Sequence, residues 1–145
     1  GTAAISSAKL AYQIYSEVFS AKRYLQLADQ GARTQRLLWA STGTKNPKYS
    51  DVKYIEPLIG AQTINTIPLE TLTAYRDHGK PQSTLTDDVR EAQSNLEHLQ
   101  TFGIDLDAIT RQLEKEGVEK FINAYDLLLK AITQKASQYL LKGVA

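Results

Sequence analysis

The sequence predicts an α/β fold in which two short strands belong to a parallel sheet and helices make up the rest. Three observations point there. Leu37-Leu38-Trp39-Ala40 is a short continuous apolar run, the pattern of a strand buried on both faces. Thr63-Ile64-Asn65-Thr66-Ile67 is β-branched and alternating, a strand by propensity. Each is followed by a polar or Pro-marked break and a helical pattern, so the order strand, helix, strand, helix reads as β/α units with right-handed crossovers.

The elements follow in order. Residues 3–28 predict one long amphipathic helix, because Ile5, Ala8, Tyr12, Tyr15, Phe19 and Arg23 recur at steps of three or four. Leu10, Ile14, Val18 and Leu25 add a second apolar row and widen its buried face. Gly31 suits the left-handed position past a helix end. The first strand is expected near residues 35–41, before the polar loop Ser41-Thr42-Gly43-Thr44-Lys45-Asn46-Pro47. Ser50 or Asp51 caps a short helix through Ile59, with Pro57 near its end and Gly60 as its stop. The second strand is expected near residues 63–67, and Pro68 starts a helix running to His78 with Gly79 after it. Helices fill residues 86–141. Thr86 caps one that puts Val89, Ala92, Leu96 and Leu99 on one face and ends at Gly103. Asp105 caps another with Leu106, Ile109 and Leu113 inward, and Gly117 marks its end or a kink. The last runs over residues 118–141. Only residues 80–84 resemble a linker.

The 145 residues are one domain's worth, and 42% hydrophobic with 23% charged residues is the balance of a soluble globular chain. A formal net charge of +1 gives no electrostatic pull toward nucleic acid or anionic membrane, and no basic–aromatic stripe suggests nucleic acid. No apolar run approaches the roughly 18 residues of a membrane span. Cysteine is absent, which excludes thiolate chemistry and disulfides, and a cytoplasmic enzyme is the expected class. Two parallel strands leave open edges, and all-parallel sheets occur almost only in larger covered assemblies. With Gly1 first and no methionine, this predicts a fragment of a larger β/α protein. An all-helical domain with two extended connectors is the competing expectation.

The loop after the first strand is the most functional-looking stretch. Ligands of α/β proteins bind outside the carboxyl ends of strands. Hydroxyls of Ser41, Thr42 and Thr44, the bare backbone at Gly43 and the Lys45 ammonium suit a phosphate or sugar phosphate. It is not a Walker loop, which needs a second glycine. The bland alternative is an ordinary polar turn with a solvated lysine. His78 is expected to interact with carbonyls at a helix end, His98 to lie at the surface, and Asp105 and Asp107 to serve capping. No His, Asp or Glu set has metal-ligand spacing, and no nucleophile motif occurs. Trp39 and the tyrosines read as core or interface.

Three further strings join that loop: Tyr54-Ile55-Glu56-Pro57-Leu58-Ile59-Gly60, Asn65-Thr66-Ile67-Pro68 and Asp77-His78-Gly79. With Gln35-Arg36-Leu37-Leu38-Trp39-Ala40-Ser41-Thr42-Gly43-Thr44-Lys45-Asn46-Pro47 and the earlier Ala8-Lys9-Leu10-Ala11-Tyr12-Gln13, they resemble the C-terminal third of a bacterial transaldolase, over residues 3–129. The resemblance implies the end of a (β/α)8 barrel, with residues 35–41 as its seventh strand and 63–67 as its eighth. It also implies transfer of a dihydroxyacetone unit between sugar phosphates through a Schiff-base lysine, without a cofactor or metal. Ser41 matches the family's serine at the end of the seventh strand, facing substrate phosphate, and Lys45 is the expected basic partner, with Asn46 beside it. The loop around Gly43 differs in length from the family pattern, which leaves the register of Lys45 open.

The strands that carry the Schiff-base lysine and the acid/base carboxylates in that family have no counterpart here. None of Lys9, Lys22, Lys45, Lys48 or Lys53 lies in the context the nucleophile requires. The chain alone is therefore expected to be inactive, with no catalytic residue of its own. Its expected partners are sugar-phosphate substrates and either the missing N-terminal part of the barrel or a second copy of the chain. Some transaldolases are fused to a phosphoglucose isomerase domain. An autonomous helical interaction or regulatory module is the alternative function.

Overall fold

A computed structural model describes residues 1–142, and side chains as far as residue 139. It divides into two units, Gly1–His98 and the part from Leu99 onward.

In the first unit the expected single N-terminal helix is two. Helix α1 spans Thr2–Ser20 and α2 spans Lys22–Ala28, separated at Ala21, whose backbone is extended (φ −64°, ψ 143°). The expected wide buried face is also corrected. Of α1 only Ser6 and Lys9 are buried, and Ile14, Val18 and Leu25 are at least half exposed. The half-buried aromatic residues instead pack against one another: Tyr12 on Tyr15, Tyr15 on Phe19, and Phe19 edge-on to Tyr24, with centroids 4.7–5.9 Å apart. Gly31 does take the left-handed conformation (φ +95°) after α2.

Strand β1 is Leu37–Trp39 and β2 is Thr63–Asn65, each shorter than expected. They pair in parallel, Leu37 opposite Thr63, Leu38 opposite Ile64 and Trp39 opposite Asn65. Thr66 extends the ladder, its N–H donating to the Trp39 carbonyl at 3.0 Å. β1 is not buried on both faces, since Leu38 is 51% exposed. Between the strands, residues 51–55 form turns and only Glu56–Leu58 is helical, as a single 3-10 turn. Pro57 falls inside it and lacks the N–H that an α-helix would use there. Val52, Ile55 and Leu58 from this connection, with Leu85 and Ala92, are the buried apolar residues among those described.

Helix α3 spans Leu69–His78, with Gly79 at its C-cap as expected and Pro68 at its N-cap, so that it starts one residue later than expected. The segment between α3 and the next helix is fastened toward its C-terminal end. The Thr84 and Leu85 N–H groups donate to the Ile59 carbonyl, and the buried Lys9 ammonium donates to the Thr84 and Asp87 carbonyls at 3.1 and 2.7 Å. Those carbonyls meet the need of a buried ammonium for acceptors. Helix α4 is Val89–Thr101, starting three residues after the expected cap, because Asp88 sits at φ +54° and breaks helical geometry. Its inward face includes buried Ala92 and half-buried Val89, Leu96 and Leu99.

In the second unit Gly103 (φ +74°) ends α4 and Asp105 Oδ1 caps the next helix through the Ala108 N–H at 2.9 Å. That helix, α5, runs unbroken over Leu106–Lys142, so Gly117 neither ends nor divides it. Ile109 and Leu113, expected inward, are exposed.

Candidate functional site

The carboxyl ends of β1 and β2 lie side by side, and the residues that follow them form the site. Directly after β1 the backbone turns at Ser41, which adopts φ +58°, a left-handed conformation uncommon for a residue with a side chain. Such strain persists only where the surroundings enforce it. Here the next residue does so. Thr42 is buried and its hydroxyl donates to Asn65 Oδ1 on β2 at 2.7 Å. Gly43 then passes so close to the start of α3 that a Cβ would stand 3.1 Å from Pro68 Cγ and 3.2 Å from Thr71 Oγ1. The loop is pressed onto α3 at the one residue without a side chain.

The expected phosphate-binding residues divide between two hollows. Ser41 lines a largely apolar cleft of about 370 Å³ with Thr42, Trp39 and Leu38 on one side and Ile5, Ala8 and Tyr54 on the other. Trp39 is held there by its indole N–H, which donates to the Leu58 carbonyl at 3.2 Å. Lys45 and Asn46 lie in a second, open hollow of about 590 Å³ with Thr44, Pro47, Tyr49 and Asp51. Asn46 Oδ1 accepts the Lys48 N–H at 3.0 Å, and the Asn46 carbonyl accepts the Tyr49 N–H, so this turn is locally braced. Lys45 is exposed and has no hydrogen bond or ion pair among the described residues. Ser41 and Lys45 are thus neighbours in the chain but do not share one cleft.

His78 differs from its expected role. Its ring does not serve the helix carbonyls; Nε2 meets Asp51 Oδ1 at 2.9 Å and Nδ1 meets Asp77 Oδ2 at 3.2 Å. The hydrogen bond to Asp51, then that to Asp77, raises the His78 pKa above the ordinary 6.5. The same bond lowers the Asp51 pKa below 3.8. The contact clips the end of the Lys45 loop to the end of α3. Asp51 and His78 are 27 residues apart, and Thr42 and Asn65 are 23 apart, so neither pair carries a spacing signal. The only hint in the sequence was that each lies beside an expected strand or helix end.

Chemically, the loop offers hydroxyls, an amide and the free Lys45 ammonium to an anion. No group of three His, Asp or Glu residues able to hold a metal ion occurs among the described residues. No described helix is long and apolar enough to cross a membrane.

A family model described as transaldolase/fructose-6-phosphate aldolase matches residues 1–132. Among similar proteins, the transaldolase of Thiobacillus denitrificans is 51% identical over 132 residues, covering 91% of this chain and 37% of that protein. The transaldolase of Neisseria meningitidis serogroup A is 44% identical over 129 residues, covering 89% and 37%. Transaldolase 2 of Nostoc punctiforme is 43% identical over 137 residues, covering 93% and 36%. The chain thus spans little more than a third of the length of the curated relatives it matches.

Proposed function

The chain belongs to the transaldolase/fructose-6-phosphate aldolase family, and from that premise we propose that it is the C-terminal part of a cytoplasmic transaldolase barrel. In this reading β1 and β2 are the seventh and eighth strands, and the loop after β1 grips the substrate phosphate. The parallel β1–β2 pair with a polar loop at its carboxyl end carries the reading, because barrel enzymes bind substrate at that end. The reaction moves a dihydroxyacetone unit from sedoheptulose 7-phosphate to glyceraldehyde 3-phosphate, giving erythrose 4-phosphate and fructose 6-phosphate. A lysine amine adds to the ketose carbonyl and loses water, and the resulting iminium draws the electrons of the breaking carbon–carbon bond into an enamine.

That lysine lies outside this chain. No lysine lines the Ser41 cleft, Lys9 is committed to two carbonyls, and Lys53 rests over the Tyr49 ring. The role of residues 41–46 is binding: Lys45 supplies charge and Asn46 an amide from the open hollow, and Ser41 a hydroxyl from the adjoining cleft. Binding energy gained at a remote phosphate orients the reacting carbons. The open edges of β1 and β2 are filled by the rest of the barrel, or by a second copy when this chain is alone. The test is a transfer assay with fructose 6-phosphate and erythrose 4-phosphate. The complete polypeptide carrying this segment forms sedoheptulose 7-phosphate and this chain alone does not; transfer by the chain alone refutes the division of labour.

A second reading, a helical interaction module, draws on α5, where Phe121 is 82% and Leu127 65% exposed. Absence of transfer by the complete polypeptide would favour it.

A further inference from the structure

The Thr42–Asn65 contact leaves one atom unexplained. Thr42 Oγ1 donates to Asn65 Oδ1, and no described group pairs with the other end of the amide, Nδ2. No partnerless side-chain nitrogen or oxygen is buried among the described residues, and Asn65 is itself only half-buried. Nδ2 is therefore open to solvent. It stands at the carboxyl end of β2, tied by a 2.7 Å bond to the residue that follows Ser41. A primary amide with neither end bonded is free to turn. Anchoring its oxygen fixes the direction in which the N–H₂ group donates.

We infer that Asn65 is a further anion-binding residue of this site, donating from Nδ2 to the substrate phosphate, and that Thr42 is a positioning residue that orients it. The inference rests on the phosphate-binding reading of the loop and extends it to the neighbouring strand. Thr42 is suited to the task because it is 3% exposed, so water does not compete for its hydroxyl. Its backbone is set by the Ser41 turn on one side and the Gly43 contact with Pro68 and Thr71 on the other. The arrangement also accounts for a polar residue at the end of β2 where the rest of the strand is β-branched.

The test measures the affinity of the complete polypeptide for inorganic phosphate by calorimetry. Asn65→Asp keeps an oxygen to accept from Thr42 but replaces the donor with an anion. It should weaken phosphate binding by at least about tenfold while the melting temperature holds. Thr42→Val should weaken binding less, and Thr42→Ser, which keeps the hydroxyl, should restore it. If Thr42→Val does not fold, the Asn65→Asp and Thr42→Ser results carry the decision. Unchanged phosphate affinity in Asn65→Asp overturns the inference and leaves the pair a strand-end brace. The Ser41 and Lys45 assignments fail separately, when Ser41→Ala and Lys45→Ala bind phosphate as the parent does while Asn65→Asp does not. Failure of the transaldolase reading shows as absent transfer with phosphate binding intact.

Discussion

Lys45 lies in the loop after β1, and its charge is not engaged by any described residue. Its exposure limits what it contributes, since a solvated ammonium is screened. Lys45→Ala in the complete polypeptide should raise the KM for fructose 6-phosphate by about five- to tenfold with little change in kcat. An unchanged KM would return the residue to the role of a solvated turn lysine. The affinity loss should shrink as salt rises, because screening already removes part of the parent's attraction.

His78 gives a second residue-scale expectation. Its pKa is raised by the Asp51 and Asp77 hydrogen bonds, so what the clip adds is fully present below pH 6.5 and lost as pH rises through the raised value. The Asp51 pKa is lowered, so its share is present above pH 3.8 and lost as pH falls through the lowered value. The clip is therefore strongest between those limits. Proton NMR titration should place His78 above 6.5, and Asp51→Asn should bring it back toward that value. A His78 titration unaffected by Asp51→Asn would mean that the clip does not form in solution. None of this was legible in the sequence. Histidine before a C-cap glycine fits the pattern of a helix-end residue, and only the fold brings Asp51 across to its ring.

At the scale of elements, the sequence was most legible where the hydrophobic period changed. The apolar run before the Ser41 loop and the β-branched run at Thr63 both form strands, paired in parallel as the β/α order requires. Propensity overstates their length, because a ladder stops where its partner strand stops, while apolar and β-branched residues run on past that point. The break at Ala21 had no warning, as Ser20-Ala21-Lys22 contains neither glycine nor proline. Gly117 misled in the opposite direction. A glycine inside a long helix costs about 1 kcal/mol relative to alanine, which neighbouring helix formers such as Leu, Glu and Lys tolerate. A Cβ at Gly117 would meet nothing within 4 Å. Gly117→Ala should therefore raise the thermal stability of the second unit or its helix content by circular dichroism; a loss would show that α5 is not continuous there.

At the scale of the whole molecule, the sheet is the feature that asks for completion. β1 and β2 pair only with each other among the described residues, and Leu38 stands half exposed on the short ladder. Parallel sheets occur almost only with both faces covered and more strands beside them. The chain covers only 36–37% of the length of each of the three relatives described. In the proposed function, the missing strands and the nucleophile belong together to the remainder of a barrel. The most direct test is borohydride reduction in the presence of fructose 6-phosphate, followed by mass mapping of the adduct in the complete polypeptide. The adduct is expected on a lysine outside residues 1–145, and this chain by itself should trap none. A reduced adduct on Lys9, Lys45 or any other lysine of this chain would contradict the account.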